Sequence, residues 1–275
     1  MVSAQDVKKL RDKTGAGMMD CKKALIEANG NFEKAIDYLR KKGQKVSAAR
    51  ADKDTAEGSV FIQTNADNTA GTIIALSCET DFVAKTEDFQ NLGQQIVDVA
   101  CANQVSDIEA LLALSIDNLS IREKITSLIG KVGEKITISA CKSLRSSVVV
   151  TYLHGSKLGV LAGMEGAQGN EVVEAGQDVA MQIAAMNPLA IDKDGIDTAV
   201  IERELAVGKE LARNEGKPEA MLEKIAQGRL NKFFKENTLL PQAFVKDNAV
   251  TIAQYLKGVA PNLTVTAFER VAIGS

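Results

Sequence analysis

The apolar positions of this chain change period along its length, and each change marks a change of architecture. Up to about residue 43 they recur every three or four residues. Val7 and Leu10 share a face behind Ser3 and Asp6, a pair that resembles a capping box. Gly15 and Gly17 interrupt the chain. Met18, Cys21, Leu25 and Ala28 give a second helical stripe, which Asn29 and Gly30 close. Asn31 is placed to cap a third helix carrying Phe32, Ala35, Ile36 and Leu39, with Gly43 expected as its C′ residue. Residues 44–57 have few large apolar side chains and read as a linker of partly helical character.

From residue 59 the pattern turns to β-type runs, at 59–64 and 72–78, separated by the turn-forming NADNTAG. Thr86 then caps a predicted helix with Phe89, Leu92, Ile96 and Val99 on one side, and a second helical stretch begins near Ser106. Ser120 and Glu123 form a capping box ahead of Ile121, Ile125, Leu128 and Ile129. Strand-like runs follow at 136–141, 148–153 and 158–164, then a helix over 171–186 that ends before Pro188. The run GTIIALSC leading to QQIVDVA resembles LGVLAGME leading to MQIAAMN. Gln95 and Ile96 match Gln182 and Ile183 at a period of 87 residues. The pattern implies a duplicated α+β core, each unit a small antiparallel sheet with helices on one face. Two narrow stripes, Ile201, Leu205, Leu211 and Ala212, then Leu222, Ile225, Ala226 and Leu230, flank the turn NEGKPE. They predict an antiparallel helical hairpin at about 193–230 that projects from the body. A helix around 249–257 and a strand near 263–272 complete the chain.

A length of 275 residues suggests about two domains at roughly 150 residues each. The pattern divides the chain into a head and linker (1–54), a first core subdomain (55–140) and a second that carries the hairpin (141–275). Charge sharpens that division. The net charge of −3 is an average, because residues 1–54 carry 13 Lys and Arg against 8 Asp and Glu. The head is therefore +5 and the rest −8. A single His excludes a multi-His metal site within one chain. Aromatic residues at 4% argue against a surface that stacks single-stranded bases, and the acidic balance argues against a nucleic-acid footprint. Cys21, Cys78, Cys101 and Cys141 form no C-x-x-C pair and read as reduced core side chains. No run approaches the roughly 20 apolar residues that span a membrane, and residues 1–10 have no hydrophobic signal region, so a cytoplasmic protein is expected.

Few residues offer chemistry. Gly15 and Gly17 lack the third glycine of a dinucleotide loop, since position 20 is Asp20. No phosphate-binding loop motif exists, so direct nucleotide binding is not expected, nor is a cofactor or metal. His154 stands in a turn without a partner for a catalytic triad. Met18 fits the core stripe, which leaves Met19 off it, as a contact residue or as plain surface. In the segment CETDFVAK (78–85), Asp81 and Phe82 sit where a buried strand meets a helix. They either present a charge and a hydrophobic wedge together or merely staple the helix entry.

The motifs TGAGMMDCKKAL (14–25) and CETDFVAK (78–85) strongly resemble the elongation factor Ts family of translation. The similarity continues through EANGNFEKAIDYLRKKG, HGSKLGVL, MQIAAMNP and PQAFVKD, in the same order of parts. The resemblance implies a guanine-nucleotide exchange factor for elongation factor Tu, with no catalytic chemistry of its own. It implies a head of ubiquitin-associated type that docks on the GTPase through a face including Met18, Met19, Lys22 and Lys23. It further implies that Thr80, Asp81, Phe82 and Val83 dislodge the partner's Mg²⁺. His154, Gly155 and Gln182 are expected to face other parts of that partner.

Overall fold

The computed structural model describes residues 2–274. The chain opens with α1 (Ala4–Thr14), α2 (Met18–Glu27) and α3 (Phe32–Ala49). There follow β1 (Glu57–Thr64), β2 (Ala70–Cys78), α4 (Asp81–Ala84), α5 (Glu87–Asn103), α6 (Ile108–Ala113), β3 (Ser115–Ile116), β4 (Leu119–Ser120), α7 (Ile121–Val132) and β5 (Ile136–Arg145). The remainder is β6 (Val148–His154), β7 (Leu158–Glu165), α8 (Asn170–Met186), α9 (Thr198–Asn214), α10 (Glu219–Asn237), β8 (Ala243–Phe244), β9 (Asp247–Thr251), α11 (Ile252–Val259) and β10 (Thr264–Ala272).

In the head, the expected stripes converge. Val7, Leu10, Cys21, Leu25 and Ala35 are buried together, with Phe32, Ile36 and Leu39 packed against them. Ser3 and Asp6 close a reciprocal capping box on α1, and Asn31 accepts from Lys34 N–H at the start of α3. The prediction that Gly43 ends this helix fails. The helix runs six residues further, to Ala49, because Gly43 is a crossing point rather than a cap. Gly43 is buried against α7, where a Cβ would meet the Thr126 carbonyl oxygen at 2.7 Å, and a Cβ on Gly130 would lie 3.0 Å from Gly43 Cα. Two glycines at one contact let the helix backbones approach closely, a geometry that any side chain would block. Residues 44–49 of the expected linker are therefore helix, in keeping with its partly helical character, and Val46 packs against the core.

The core is two three-stranded antiparallel sheets built to one plan. A hairpin supplies the edge and centre, and a later strand supplies the other edge. The orders are β1-β2-β5 and β6-β7-β10. Period-two alternation gives each sheet two apolar faces. From the first sheet, Ile74, Leu76 and Cys78 face α5 and α7, while Val60, Ile73, Ala75 and Leu144 face the second sheet. From the second, Val149, Leu161 and Val271 meet that layer, while Val160, Ala162 and Met164 face α8 and α11. The result is helix, sheet, sheet, helix in four layers. In α5 it is Val97 and not Val99 that is fully buried, and the stretch expected near Ser106 begins as α6, capped by Asp107. α9 and α10 pack chiefly on each other, with Gly208 against Ala226. A bridge between Ala190 and Thr238 ties the base of this hairpin to the body. Among the described residues no helix is long and apolar enough to cross a membrane.

Candidate functional site

The segment after β2 is held from below and open above. Cys78 is buried at the end of the strand, and its thiol donates to the Thr80 carbonyl. Glu79 turns back into the fold. Its carboxylate accepts from Lys135 N–H at 2.6 Å and from Arg50 Nη1 at 2.9 and 2.7 Å. The hydrogen bond from the Lys135 amide, with that from Arg50 and its charge, outweighs the opposing effect of burial and holds the carboxyl below its ordinary range. Thr80 donates from its backbone N–H and its hydroxyl to the two oxygens of Glu134, at 3.0 and 2.8 Å. The same hydroxyl caps α4 by accepting from Val83 N–H. Val83 and Ala84 point inward and are buried.

Asp81 and Phe82 are what this arrangement leaves outside. Phe82 is 80% exposed on a one-turn helix whose neighbours on both sides are buried or hydrogen-bonded. An aromatic ring held out into solvent by a firmly anchored turn is unusual for a surface position. Asp81 pairs with Lys85 Nζ at 2.6 Å. That hydrogen bond chiefly lowers its carboxyl, and Lys157 adds to the effect. The charge at Asp81 is therefore present at any pH above the ordinary carboxylate range.

Lys157 belongs to the β6–β7 turn, so this turn lies close to Asp81. Lys157 also pairs with Glu57 at 2.6 Å. His154 is exposed, with its Nδ1 3.1 Å from the Tyr152 hydroxyl, and Gly155 holds a positive φ of 59° that a side chain would strain. Gln90 joins the end of α4 to β1 by donating to the Ala84 carbonyl and the Ser59 hydroxyl. It lines a cleft of about 610 Å³ whose far wall includes Leu153 and Gly155. The structure thus brings residues 80–83 and 154–155 to one side of the core.

Met18 and Met19 are 57% and 73% exposed in the first turn of α2, with Lys22 and Lys23 exposed on the next. Its spacing predicts Met18 in the head core. The stripe is buried as expected at Cys21, Leu25 and Ala28, but Met18, at its open end in the first turn of α2, stays in solvent together with Met19. Gln182 departs from its expected role. It is fully buried in α8, its amide donates to Gln242 and to the Ala243 carbonyl, and its carbonyl accepts from Val245 N–H. It has no surface to offer a partner. Its work is to hold residues 242–245 in place.

The sequence model described as "Elongation factor TS" matches residues 79–275. The chain belongs to the elongation factor Ts family. Proteins of that name from Amoebophilus asiaticus and Cytophaga hutchinsonii are 60% and 54% identical to it, over 100% and 99% of this chain and 99% of each relative. One from Prosthecochloris aestuarii is 40% identical over 100% of this chain and 99% of its own. Membership carries the family's role, nucleotide exchange on elongation factor Tu in translation elongation.

Three residues that shape this elongation factor Ts site escape a reading of the sequence. Arg50, Glu134 and Lys135 lie 29, 54 and 56 residues from the positions they hold. No local spacing joins them to Glu79 and Thr80. The only signal is that Glu79 lies inside the motif itself. The four cysteines are buried, and burial pushes the Cys78 and Cys141 thiols up to about 11, so both stay protonated at neutral pH. Among the described residues no group of three or more His, Cys, Asp or Glu side chains could hold a metal ion.

Proposed function

We propose that this chain releases GDP from elongation factor Tu by pressing Phe82 into the GTPase, while Asp81 disturbs the groups around its Mg²⁺ and phosphates. The observation that carries the reading is a ring 80% exposed on a turn that Thr80 and Val83 fix from beneath. A wedge must be presented from a firm base, and a backbone turn that is already ordered gives up little entropy on binding. Mg²⁺ bridges protein and phosphate oxygens, so disturbing its surroundings weakens both contacts at once. Coupling is reciprocal: a protein that binds the nucleotide-free state better must lower nucleotide affinity by the same factor. Each tenfold of that factor corresponds to about 1.4 kcal/mol of differential binding.

The exposed face of α2, with Met18, Met19, Lys22 and Lys23, supports a docking role for the head. His154 and Gly155, on the same side of the core as Phe82, support a second contact there. Exchange is tested by release of labelled GDP from purified elongation factor Tu. Asp81→Ala with Phe82→Ala is expected to slow release by about 30-fold or more, the equivalent of about 2 kcal/mol for one lost aromatic anchor. Circular dichroism and the melting temperature should stay close to the parent, because neither side chain is buried. Release at the parent rate by the folded double variant would sink the reading.

A further inference from the structure

We propose that Arg50 is a positioning residue for exchange: from the end of the head's last helix it clamps Glu79 and so fixes the angle at which Phe82 is presented. The proposal rests on the reading of Phe82 as the wedge. It extends that reading to a residue in a different part of the chain.

A closed ring of contacts carries it. Arg50 caps the C-terminus of α3 and donates through Nη1 to both oxygens of Glu79. Lys135 N–H donates to the same carboxylate, while Lys135 Nζ donates to the carbonyls of Ala51 and Lys53 at 2.6 and 2.9 Å. The neighbouring Glu134 receives both donors of Thr80. Residues 50–53, 79–80 and 134–135 therefore hold one another, and Asp81 and Phe82 leave directly from this ring. Charge-assisted hydrogen bonds to one carboxylate are strong and directional. The Arg50 and Glu79 side chains are 35% and 17% exposed, so the pair is partly shielded from solvent. Earlier in α3, Gly43 lets the helix pack closely onto α7. The helix that belongs to the head is thus fixed at one point to the core and at its end to the base of the wedge.

The test is a double-mutant cycle read by GDP release from elongation factor Tu, with the chain varied from limiting to saturating concentration. Arg50→Ala should lower the maximal release rate by about tenfold, with the half-saturating concentration changed less than twofold. In a Phe82→Ala background the same substitution should cost less than twofold, since there is no ring left to aim. Arg50→Lys, which still donates to the carboxylate, should recover most of the rate. Glu79→Gln keeps an acceptor for Lys135 N–H while losing the charge, and it should match Arg50→Ala. A parent rate for Arg50→Ala overturns the proposal. So does a full tenfold loss that persists without Phe82, since Arg50 would then act on the partner by itself. A parent rate for Phe82→Ala alone overturns the wedge reading and this proposal with it, so the two failures are told apart.

Discussion

At the scale of the residue, the same type of polar side chain means opposite things in two places. Asp81 is polar, paired at the surface and free to meet a partner, whereas Gln182 is polar, fully buried and committed to three internal hydrogen bonds. Gln182→Ala is expected to destabilise the protein by about 1–3 kcal/mol, because it leaves Val245 N–H, the Ala243 carbonyl and the Gln242 side-chain carbonyl short of partners. A urea titration against the parent reads this directly, and a midpoint unchanged within error would contradict it. The difference between the two residues was only half legible. The motif around Asp81 and Phe82 is contiguous, so the sequence alone singles out both. Gln182 sits in a second contiguous motif, yet its burial depends on residues 242–245, which arrive some 60 positions later. Likewise, a spacing of 3, 4 and 3 gives the buried face of α2 at Cys21, Leu25 and Ala28, but not that Met18, at the open end of that stripe, lies outside the packed core.

At the scale of the element, helix starts with a capping box or an Asx/Thr cap are legible in the sequence, and so is the break at Gly15 and Gly17, whereas Gly43 is not the stop its type suggests. Ser3, Asn31, Thr86 and Ser120 all cap where the sequence predicts. The sequence suggests a stop at Gly43 because glycine is common at C′ positions, but glycine is equally what a close helix crossing needs. Only the other helix decides between these, and α7 lies about 80 residues away in the chain. Gly43→Val should destabilise the protein by about 1–3 kcal/mol, since the branched side chain would force α3 and α7 apart. An Ala in its place meets the same Thr126 oxygen while gaining up to about 1 kcal/mol of helix propensity, so it should cost less than Val. Thermal melts of the two variants check the order, and a Val variant as stable as the parent would show that the crossing is not tight. The duplication, in contrast, was legible from a handful of matched residues, because both halves place the matched strand at the centre of a three-stranded sheet.

At the scale of the whole molecule, a +5 head is joined to a −8 body by a helix that belongs structurally to both. Removing residues 1–30 should weaken the interaction with elongation factor Tu, raising the half-saturating concentration for GDP release several-fold, while α3 stays on the core. Removing residues 1–54 should do this and also lower the melting temperature of what remains, because α7 would lose the partner that Gly43 and Val46 provide. Equal melting temperatures for the two truncations would show that α3 adds nothing to the core. The continuous helix has a further consequence, in the currency of rotation. Each residue of an α-helix turns the chain by about 100°, so the seven steps from Gly43 to Arg50 come within about 20° of two full turns. That near-integral count is what allows one helix to face α7 with its glycine and Glu79 with its arginine. The number of residues in this stretch is therefore a phase as well as a length. A single insertion there would swing Arg50 about a quarter-turn away from its carboxylate without altering a single residue of the site.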